Sequence, residues 1–132
     1  MMLYIDSTRD DEKVELVIVD KSGKVLKRKF VDLLSPEGKP ENLIEILSKF
    51  LSANKIKLSN LSKIAVRQGR GFFSRTRLGI VTTNALAFTF QIPIVPVLNK
   101  PNFKKILAKS GQGMVAPVYS KKLRNLSHDW LL

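Results

Sequence analysis

Short apolar runs rich in β-branched residues dominate the first quarter of the chain. Residues 3–6, 14–20 and 25–31 each form such a run, and each run predicts a β-strand. The second run alternates enough, and is β-branched enough, to pair with a neighbour on both sides. Between the second and third runs lies Lys21-Ser22-Gly23-Lys24, a polar turn with a glycine. This arrangement predicts an antiparallel hairpin.

Helical and strand patterns then alternate. A polar connection at 34–40 ends in Pro40, which suits the first turn of a helix predicted near 41–54. A fourth strand follows at 61–66, then a glycine-rich turn at 68–73 and a second long helix at about 74–90. Residues 94–97, bounded by Pro93 and Pro96, predict a fifth strand at a sheet edge, where lost amide donors are tolerated.

The last part of the chain predicts a short helix from Pro101 to near Gly111, an extended segment at 114–119 and a basic tail. The resulting order is βββαβαβ, with a hairpin first and helical crossovers afterwards. This order predicts an α/β domain with a mixed five-stranded sheet, which is the RNase H-like pattern.

Both long helices carry more apolar residues than one core-facing stripe needs. A domain this small rarely encloses helices completely, so we expect part of this surface to meet a partner. Deep burial within one domain is the alternative. The candidate interface residues lie on the two helices: Leu43, Ile46, Leu47, Phe50, Leu78, Val81, Ala85 and Phe88.

Length and composition limit the classes of function. The 132 residues suffice for one core, and the absence of cysteine excludes disulfides, cysteine-type zinc sites and thiol nucleophiles. We see neither a signal peptide nor a run of the roughly 18 apolar residues that a spanning helix needs. We therefore expect a cytoplasmic protein with no membrane partner.

The charge is unevenly distributed along the chain. The net charge is +12, yet ten of the eleven acidic residues lie within residues 1–45, and the last is Asp129. Between Ile46 and His128 there are fifteen Lys and Arg residues and no carboxylate. A segment of one sign repels itself unless a polyanion or an acidic surface compensates, so RNA or an acidic protein is the expected ligand. A generally basic, solvated surface is the alternative.

The stretch from Gly69 to Gly79 reads GRGFFSRTRLG and leads from a strand into a helix. A glycine-rich turn there can bring backbone amides to a phosphate, although most such glycines serve turn geometry alone. The stretch resembles the TsaB/YeaZ family signature, close to GPGSFTGLRIG, with a turn motif in register: Gly69, Gly71, Phe73, Arg77 and Gly79. The family's small or polar residues are replaced by bulkier or cationic ones at Arg70, Phe72 and Arg75.

The resemblance extends over about residues 3–98. Residues 3–8 resemble the family's opening strand, Leu86-Ala87 its second helix, and residues 94–97 the strand that follows. Residues 117–122 resemble the Pro-x-Tyr ending of the family, whose members usually carry a second α/β half. We therefore expect a TsaB-type amino-terminal domain at 1–98, with a short helix and basic extension at 99–132 in place of the second half.

The resemblance implies an ASKHA-type, non-catalytic scaffold in tRNA threonylcarbamoyladenosine synthesis that pairs with a TsaD-like catalytic subunit. A homodimer is the alternative assembly. No cofactor of its own is expected, and a nucleotide at a partner interface has no support in the residues. Contact with tRNA or phosphate is expected from basic residues near the turn and toward the end: Arg70, Arg75, Lys104, Lys105, Lys121, Lys122 and Arg124.

Other functions fit the residues less well. RNase H-like nucleases gather several carboxylates around a metal pair, and here Asp6 has no acidic partner in 46–128. An ATP-hydrolysing ASKHA enzyme needs a second domain, and a metallopeptidase needs clustered histidines, whereas His128 stands alone. Ser7 and Thr8 beside Asp6 indicate a strand end with local hydrogen bonds, with no base to activate them. A stand-alone RNA-binding protein is the second hypothesis, with Phe72 and Phe73 available for stacking or for packing at the helix start.

Overall fold

The computed structural model describes residues 1–9, 11, 13–32, 42–69, 73–109 and 111, with the backbone alone at 73–78. The sequence forms five strands: β1 (Met2–Asp6), β2 (Lys13–Val19), β3 (Val25–Asp32), β4 (Lys63–Arg67) and β5 (Ile94–Val97). Its helices are α1 (Leu43–Ala53), α2 (Phe73–Phe90) and α3 (Phe103–Ala108), with a 3₁₀ turn at Leu58–Asn60. The predicted order βββαβαβ is confirmed.

The strands form one mixed sheet in the order β3-β2-β1-β4-β5. β1 pairs with β2 antiparallel, with Tyr4 opposite Val17, and with β4 parallel, with Tyr4 opposite Ala65. β2 and β3 form the predicted hairpin, and β5 lies at the predicted edge beside β4. At the hairpin turn Gly23 has φ +91°, and the Asp20 carboxylate accepts hydrogen bonds from the amides of Ser22 and Lys24.

One face of the sheet carries the two long helices. Strand side chains alternate between faces, so Leu3, Ile5, Leu16 and Ile64 all point to the same side. α1 packs there through four buried side chains, Leu43, Leu47, Phe50 and Leu51, and α2 lies beside it over β4 and β1. Both helices therefore pack against the sheet, as the sequence predicts.

The other face of the sheet is covered by α3. Met2, Tyr4, Val17, Ala65 and Val95 are buried there. Ile106 is buried among them, Phe103 and Leu107 pack at the margin, and the Phe103 ring meets the Tyr4 ring edge-on at 5.4 Å between centroids. The domain thus has three layers, and α3 forms the third.

Three predicted boundaries shift for local reasons. α1 begins at Leu43 rather than near 41, because the Asn42 side chain accepts hydrogen bonds from the amides of Ile44 and Glu45 and caps the helix. β4 begins at Lys63, because the 3₁₀ turn precedes it. α3 ends at Ala108, because Lys109 has extended backbone angles (φ −79°, ψ 145°). Pro40 and the extended segment predicted at 114–119 lie outside the described residues. Among the described residues, the helices lack the combination of length and apolarity needed to cross a bilayer.

Candidate functional site

The turn that follows β4 begins with a glycine in an unusual conformation. Gly69 has φ +118°, in the region that side chains rarely adopt, while a Cβ there would lie 3.7 Å from the Leu98 carbonyl oxygen in ordinary contact. Backbone conformation rather than crowding therefore requires glycine at this position. Of the remaining turn motif, Gly71 lies outside the described residues, and Phe73 and Arg77 are described as α2 backbone alone.

The last glycine of the motif lies where α2 crosses the end of β1. A Cβ on Gly79 would overlap Ser7 Oγ and come within 2.9 Å of Ser7 Cβ. Ser7 is 1% exposed, and its hydroxyl finds no hydrogen-bond partner in the described part of the chain. Gly79 thus lets the first turns of α2 lie directly on the end of the central strand.

The end of β1 is a local hydrogen-bonded turn. The amide and hydroxyl of Thr8 both donate to Asp6 Oδ1, at 2.8 and 2.6 Å, which confirms the predicted strand end. Asp11 pairs instead with Arg9, 2.6 Å away, and this pair and its hydrogen bonds lower the pKa of Asp11 to about 2. Within the described ranges, no three His, Cys, Asp or Glu side chains gather as a metal site would require.

The hydroxyl of Tyr4 is a further buried polar group, on the face of the sheet that α3 covers. Burial raises the pKa of its hydroxyl far above the usual value, the Asp6 carboxylate adds to the rise, and Arg67 opposes it. Burial thus favours the neutral phenol of Tyr4 over the phenolate.

The structure corrects the predicted interface on α1. Leu43, Leu47 and Phe50 are only 2–3% exposed, because they form the face of α1 that packs on the sheet. They belong to the core and are not available to a partner. Ile46 is partly buried against the same core. Ile44, which the sequence reasoning missed, is 50% exposed at the margin of this buried face.

The apolar residues of α2 fall into a buried set and an exposed set, and the exposed set includes three of the predicted interface residues. Ile80, Thr83, Leu86 and Ala87 are buried toward the sheet and α1. Apolar side chains on the outer side form what we call the α2 stripe, Val81, Ala85 and Phe88, all of them exposed. Its members are spaced by four and three residues, so they lie on one helix face. Phe90, 48% exposed, lies on the other side of the helix and lines a separate groove with Ser48 and Leu51 of α1. The side chain of Leu78 is not described.

An open apolar cleft of about 710 Å³ continues the α2 stripe at the end of the helix. Phe88, which is 83% exposed, lines it together with Ile92, Pro93 and Gly111. Gly111 packs so closely on Pro93 that a Cβ would lie 3.0 Å from the Pro93 carbonyl carbon. The stripe and the cleft form one apolar surface on the outside of the domain.

The predicted RNA-contact residues are partly described. Lys104 and Lys105 are exposed on α3, and the Lys104 side chain packs on Gly23 at the hairpin turn. Arg75 lies in α2 with its side chain undescribed. The remaining candidates, Arg70, Lys121, Lys122 and Arg124, lie outside the described residues.

A polar cleft of about 520 Å³ lies between the chain after β5 and α3. We call it the lysine cleft after three of its lining residues, Lys100, Lys105 and Lys109. Amide side chains complete its polar lining: Gln68, Asn99 and Asn102. The sequence reasoning included Lys105 but missed the other two lysines, because the turn that brings them together is visible only in the fold.

Part of the chain is similar to proteins named for tRNA modification. Residues 38–99 match the family model of TsaD, tRNA N6-adenosine threonylcarbamoyltransferase. Two proteins of that name from strains of Staphylococcus epidermidis are each 35% identical over 57 residues, which is 43% of this chain and 17% of the relative. The chain thus spans about a sixth of the length of these curated relatives.

Solved structures show the same fold. YeaZ from Pseudomonas aeruginosa superposes with a TM-score of 0.58 and 23% identity, covering 74% of this chain and 43% of that one. A second structure, an uncharacterized protein with similarity to peptidase YeaZ from the same organism, gives the same values. The chain therefore has a YeaZ-like fold, and its residues 38–99 are similar to the TsaD family.

The region that matches the TsaD family model includes the glycine-rich turn between β4 and α2. Residues 38–99 contain α1, β4, α2 and β5, so Gly69 and Gly79 of the TsaB/YeaZ-like turn both fall inside it. The α2 stripe falls inside it as well, whereas α3 and the three lysines of the lysine cleft follow it. The resemblance inferred from the sequence is therefore confirmed.

Proposed function

We propose that this TsaB/YeaZ-like chain is a non-catalytic scaffold in tRNA threonylcarbamoyladenosine biosynthesis that pairs with a TsaD-like catalytic subunit. The observation that carries the proposal is the α2 stripe. It is exposed, lies on a helix within the matched region, and leads into an apolar cleft. A cytoplasmic location is part of the proposal.

The energetics of the α2 stripe favour a partner. Burying a side chain such as Val or Phe is worth about 1.5–3 kcal/mol. Phe88 is 83% exposed and Val81 54% exposed, so most of the gain at Phe88 and about half of the gain at Val81 is still available to an interface. Aromatic side chains that enter a partner's pocket commonly dominate binding energy. We therefore expect Phe88 to be the main anchor and Val81 to pack beside it.

The catalytic groups and any nucleotide would belong to the partner in this proposal. The basis is the composition: residues 46–128 contain no carboxylate, and His128 is the sole histidine. General acid–base or metal chemistry would have to rely on Asp6 and the acidic residues near it. Asp6 accepts two hydrogen bonds from Thr8 and serves the local turn.

The test is a pairing measurement with a TsaD-like protein from the same cell. Phe88→Glu and Val81→Glu should each weaken the complex at least about tenfold, since burying an unpaired carboxylate costs well over 1.4 kcal/mol. Ser48→Glu, at an exposed polar position on α1, is the matched control and should pair normally. Calorimetry gives the affinity, and circular dichroism checks the fold.

Two results would contradict the proposal. Unchanged affinity in both α2 stripe variants would show that the partner binds elsewhere. Self-association of the isolated chain, lost in the same variants while no TsaD-like protein binds, would assign the stripe to the homodimer alternative.

A further inference from the structure

We propose that the lysine cleft binds the phosphates of an RNA strand and thereby holds the nucleic acid against the third layer of the domain. This inference deepens the proposed function and rests on it, because the modified substrate of such a complex is an RNA. It assigns a site on the opposite side of the sheet from α1 and α2.

The lysine cleft lies where two parallel strands end. Gln68 follows β4 directly, and its amide donates to the carbonyl of Val97 at the end of β5, 2.8 Å away. The chain then passes Asn99 and Lys100 before α3 begins. Ligands of open α/β sheets commonly bind at the carboxyl ends of their strands.

A partly buried contact between an ammonium group and backbone carbonyls holds the end of α3 beside the lysine cleft. The ammonium of Lys63 donates to the carbonyl oxygens of Leu107 and Lys109, and lies 3.5 Å from that of Ile106. A cation at a helix C-terminus is favourable, because the last carbonyls lack helical partners. Lys63 thus anchors the end of α3 and sets the position from which the Lys109 side chain leaves the backbone.

The charges around the lysine cleft favour an anion. Its lining contributes three ammonium groups and no carboxylate among the described residues. Lys105 and Lys109 are four positions apart and both face the cleft, so two positive charges follow one another along the wall. Such a row suits successive phosphates along a strand better than a single compact anion.

The lining also favours RNA over an acidic protein. The cores of protein interfaces are depleted in lysine, whereas phosphate contacts are made by lysines, amides and backbone groups. Asn102 uses Oδ1 to accept from the Lys105 amide at 3.2 Å, and its Nδ2 is a donor. The side chains that line the described cleft are lysines, amides and aliphatic groups, which predicts contact with the backbone rather than base stacking.

The experiment measures binding of a labelled single-stranded RNA 12-mer at several salt concentrations. The triple variant Lys100→Gln/Lys105→Gln/Lys109→Gln should bind about tenfold or more weakly at low salt, and the salt slope should fall by about 2, since each phosphate contact with a single strand contributes about 0.7. The matched control is Lys49→Gln/Lys55→Gln/Lys57→Gln, which removes the same charge from exposed positions on the α1 side. It should keep nearly normal affinity.

Further measurements distinguish phosphate binding at the lysine cleft from diffuse charge attraction, from a site elsewhere and from binding of an acidic protein. Lys100→Arg/Lys105→Arg/Lys109→Arg should restore binding, and oligo-A and oligo-U should bind alike. Equal loss in both Gln triples would show diffuse attraction to a basic surface, and a cleft triple that binds RNA normally would place the site elsewhere. A cleft triple that loses a polyglutamate peptide but retains RNA would assign the cleft to an acidic protein. Each of these three results overturns the proposal.

The lysine cleft and the scaffold role can fail separately. Pairing with the TsaD-like protein, measured on the same cleft triple, should be unchanged, because the α2 stripe lies on the other side of the sheet. If the parent chain pairs with the TsaD-like protein but does not bind RNA, the proposal for the lysine cleft is rejected and the scaffold proposal stands. If the parent chain binds RNA but does not pair with the TsaD-like protein, the scaffold proposal is rejected and RNA binding by the cleft stands.

Discussion

Gly79 and Ser7 show how one missing side chain sets the position of a helix. The helix crosses the end of β1 at a distance that leaves no space for a Cβ on Gly79. Glycine inside a helix normally costs about 1 kcal/mol relative to alanine. Its presence in α2 is therefore explained by packing, with Thr83 donating to the Gly79 carbonyl at 2.7 Å one turn further on.

We expect Gly79→Ala to destabilise the fold by about 1–2 kcal/mol, although alanine is the better helix former. The overlap with Ser7 forces a backbone shift, and overpacking of this kind costs about 1–3 kcal/mol. Denaturant unfolding measures the change. In a Ser7→Gly background the same substitution should be neutral or stabilising, because the obstructing Cβ is gone. A loss of equal size in both backgrounds would disprove the contact as its cause.

The sequence predicted the importance of Gly79 through a family motif, but not the reason for it. Ser7 and Gly79 are separated by 72 positions in the chain, and no local pattern links them. Only the parallel pairing of β1 with β4, and the crossover of α2 above them, brings the two residues together. Pattern predicts strands and helices well, whereas contacts between them depend on the packing of the whole sheet.

At the scale of the element, α1 shows where sequence reasoning about an interface failed. Its apolar residues exceed one stripe, which suggested a partner. The structure assigns Leu43, Leu47 and Phe50 to the core and leaves Ile44 outside. The number of apolar residues on α1 shows how wide its apolar surface is. Which of those residues face the sheet depends on how the helix is rotated about its axis. On α2 the same reasoning named Val81, Ala85 and Phe88, which the structure exposes.

Two substitutions on α1 test this assignment. Phe50→Ala should cost about 3–5 kcal/mol of stability, because it leaves a cavity among Leu47, Leu51 and the sheet. Ile44→Ala, at a half-exposed position on the same helix, should stay within about 0.5 kcal/mol of the parent. Chemical denaturation of both variants measures the difference. Similar losses would mean that α1 is rotated relative to the orientation described here.

At the scale of the whole molecule, the two faces of the sheet carry different surfaces. The face with α1 and α2 presents the apolar stripe, and the face with α3 presents the lysine cleft. The absence of acidic residues from 46 to 128 predicted a basic surface, but charge along a sequence does not show which residues converge. The convergence follows from α3 returning across β5 and β4. A scaffold with these two faces could hold a protein on one side and RNA on the other.

The sequence suggested a domain at 1–98 followed by an extension, and the position of α3 leads to a different expectation. Ile106, Phe103 and Leu107 cover the second face of the sheet, and Lys63 ties the end of α3 to β4. Exposing the fully buried Ile106 forfeits about 1.5–3 kcal/mol, and the partly buried Phe103 and Leu107 add to the loss, which is a large share of the roughly 5–15 kcal/mol stability of a typical domain.

We therefore expect a chain ending at Leu98 to lose cooperative folding, whereas one ending at Gly111 should melt as a folded domain, since it keeps every packing contact described for α3. Thermal unfolding followed by circular dichroism compares the two truncations with the parent, and binding of a hydrophobic dye reports exposure of Met2, Tyr4, Val17 and Val95. A chain ending at Leu98 that melts at the parent's temperature without binding dye would show that the first 98 residues fold alone. In that case residues 1–98 would be an independently folding domain to which α3 adds no essential stability. The lysine cleft could then be deleted while the α2 stripe stays on a folded domain.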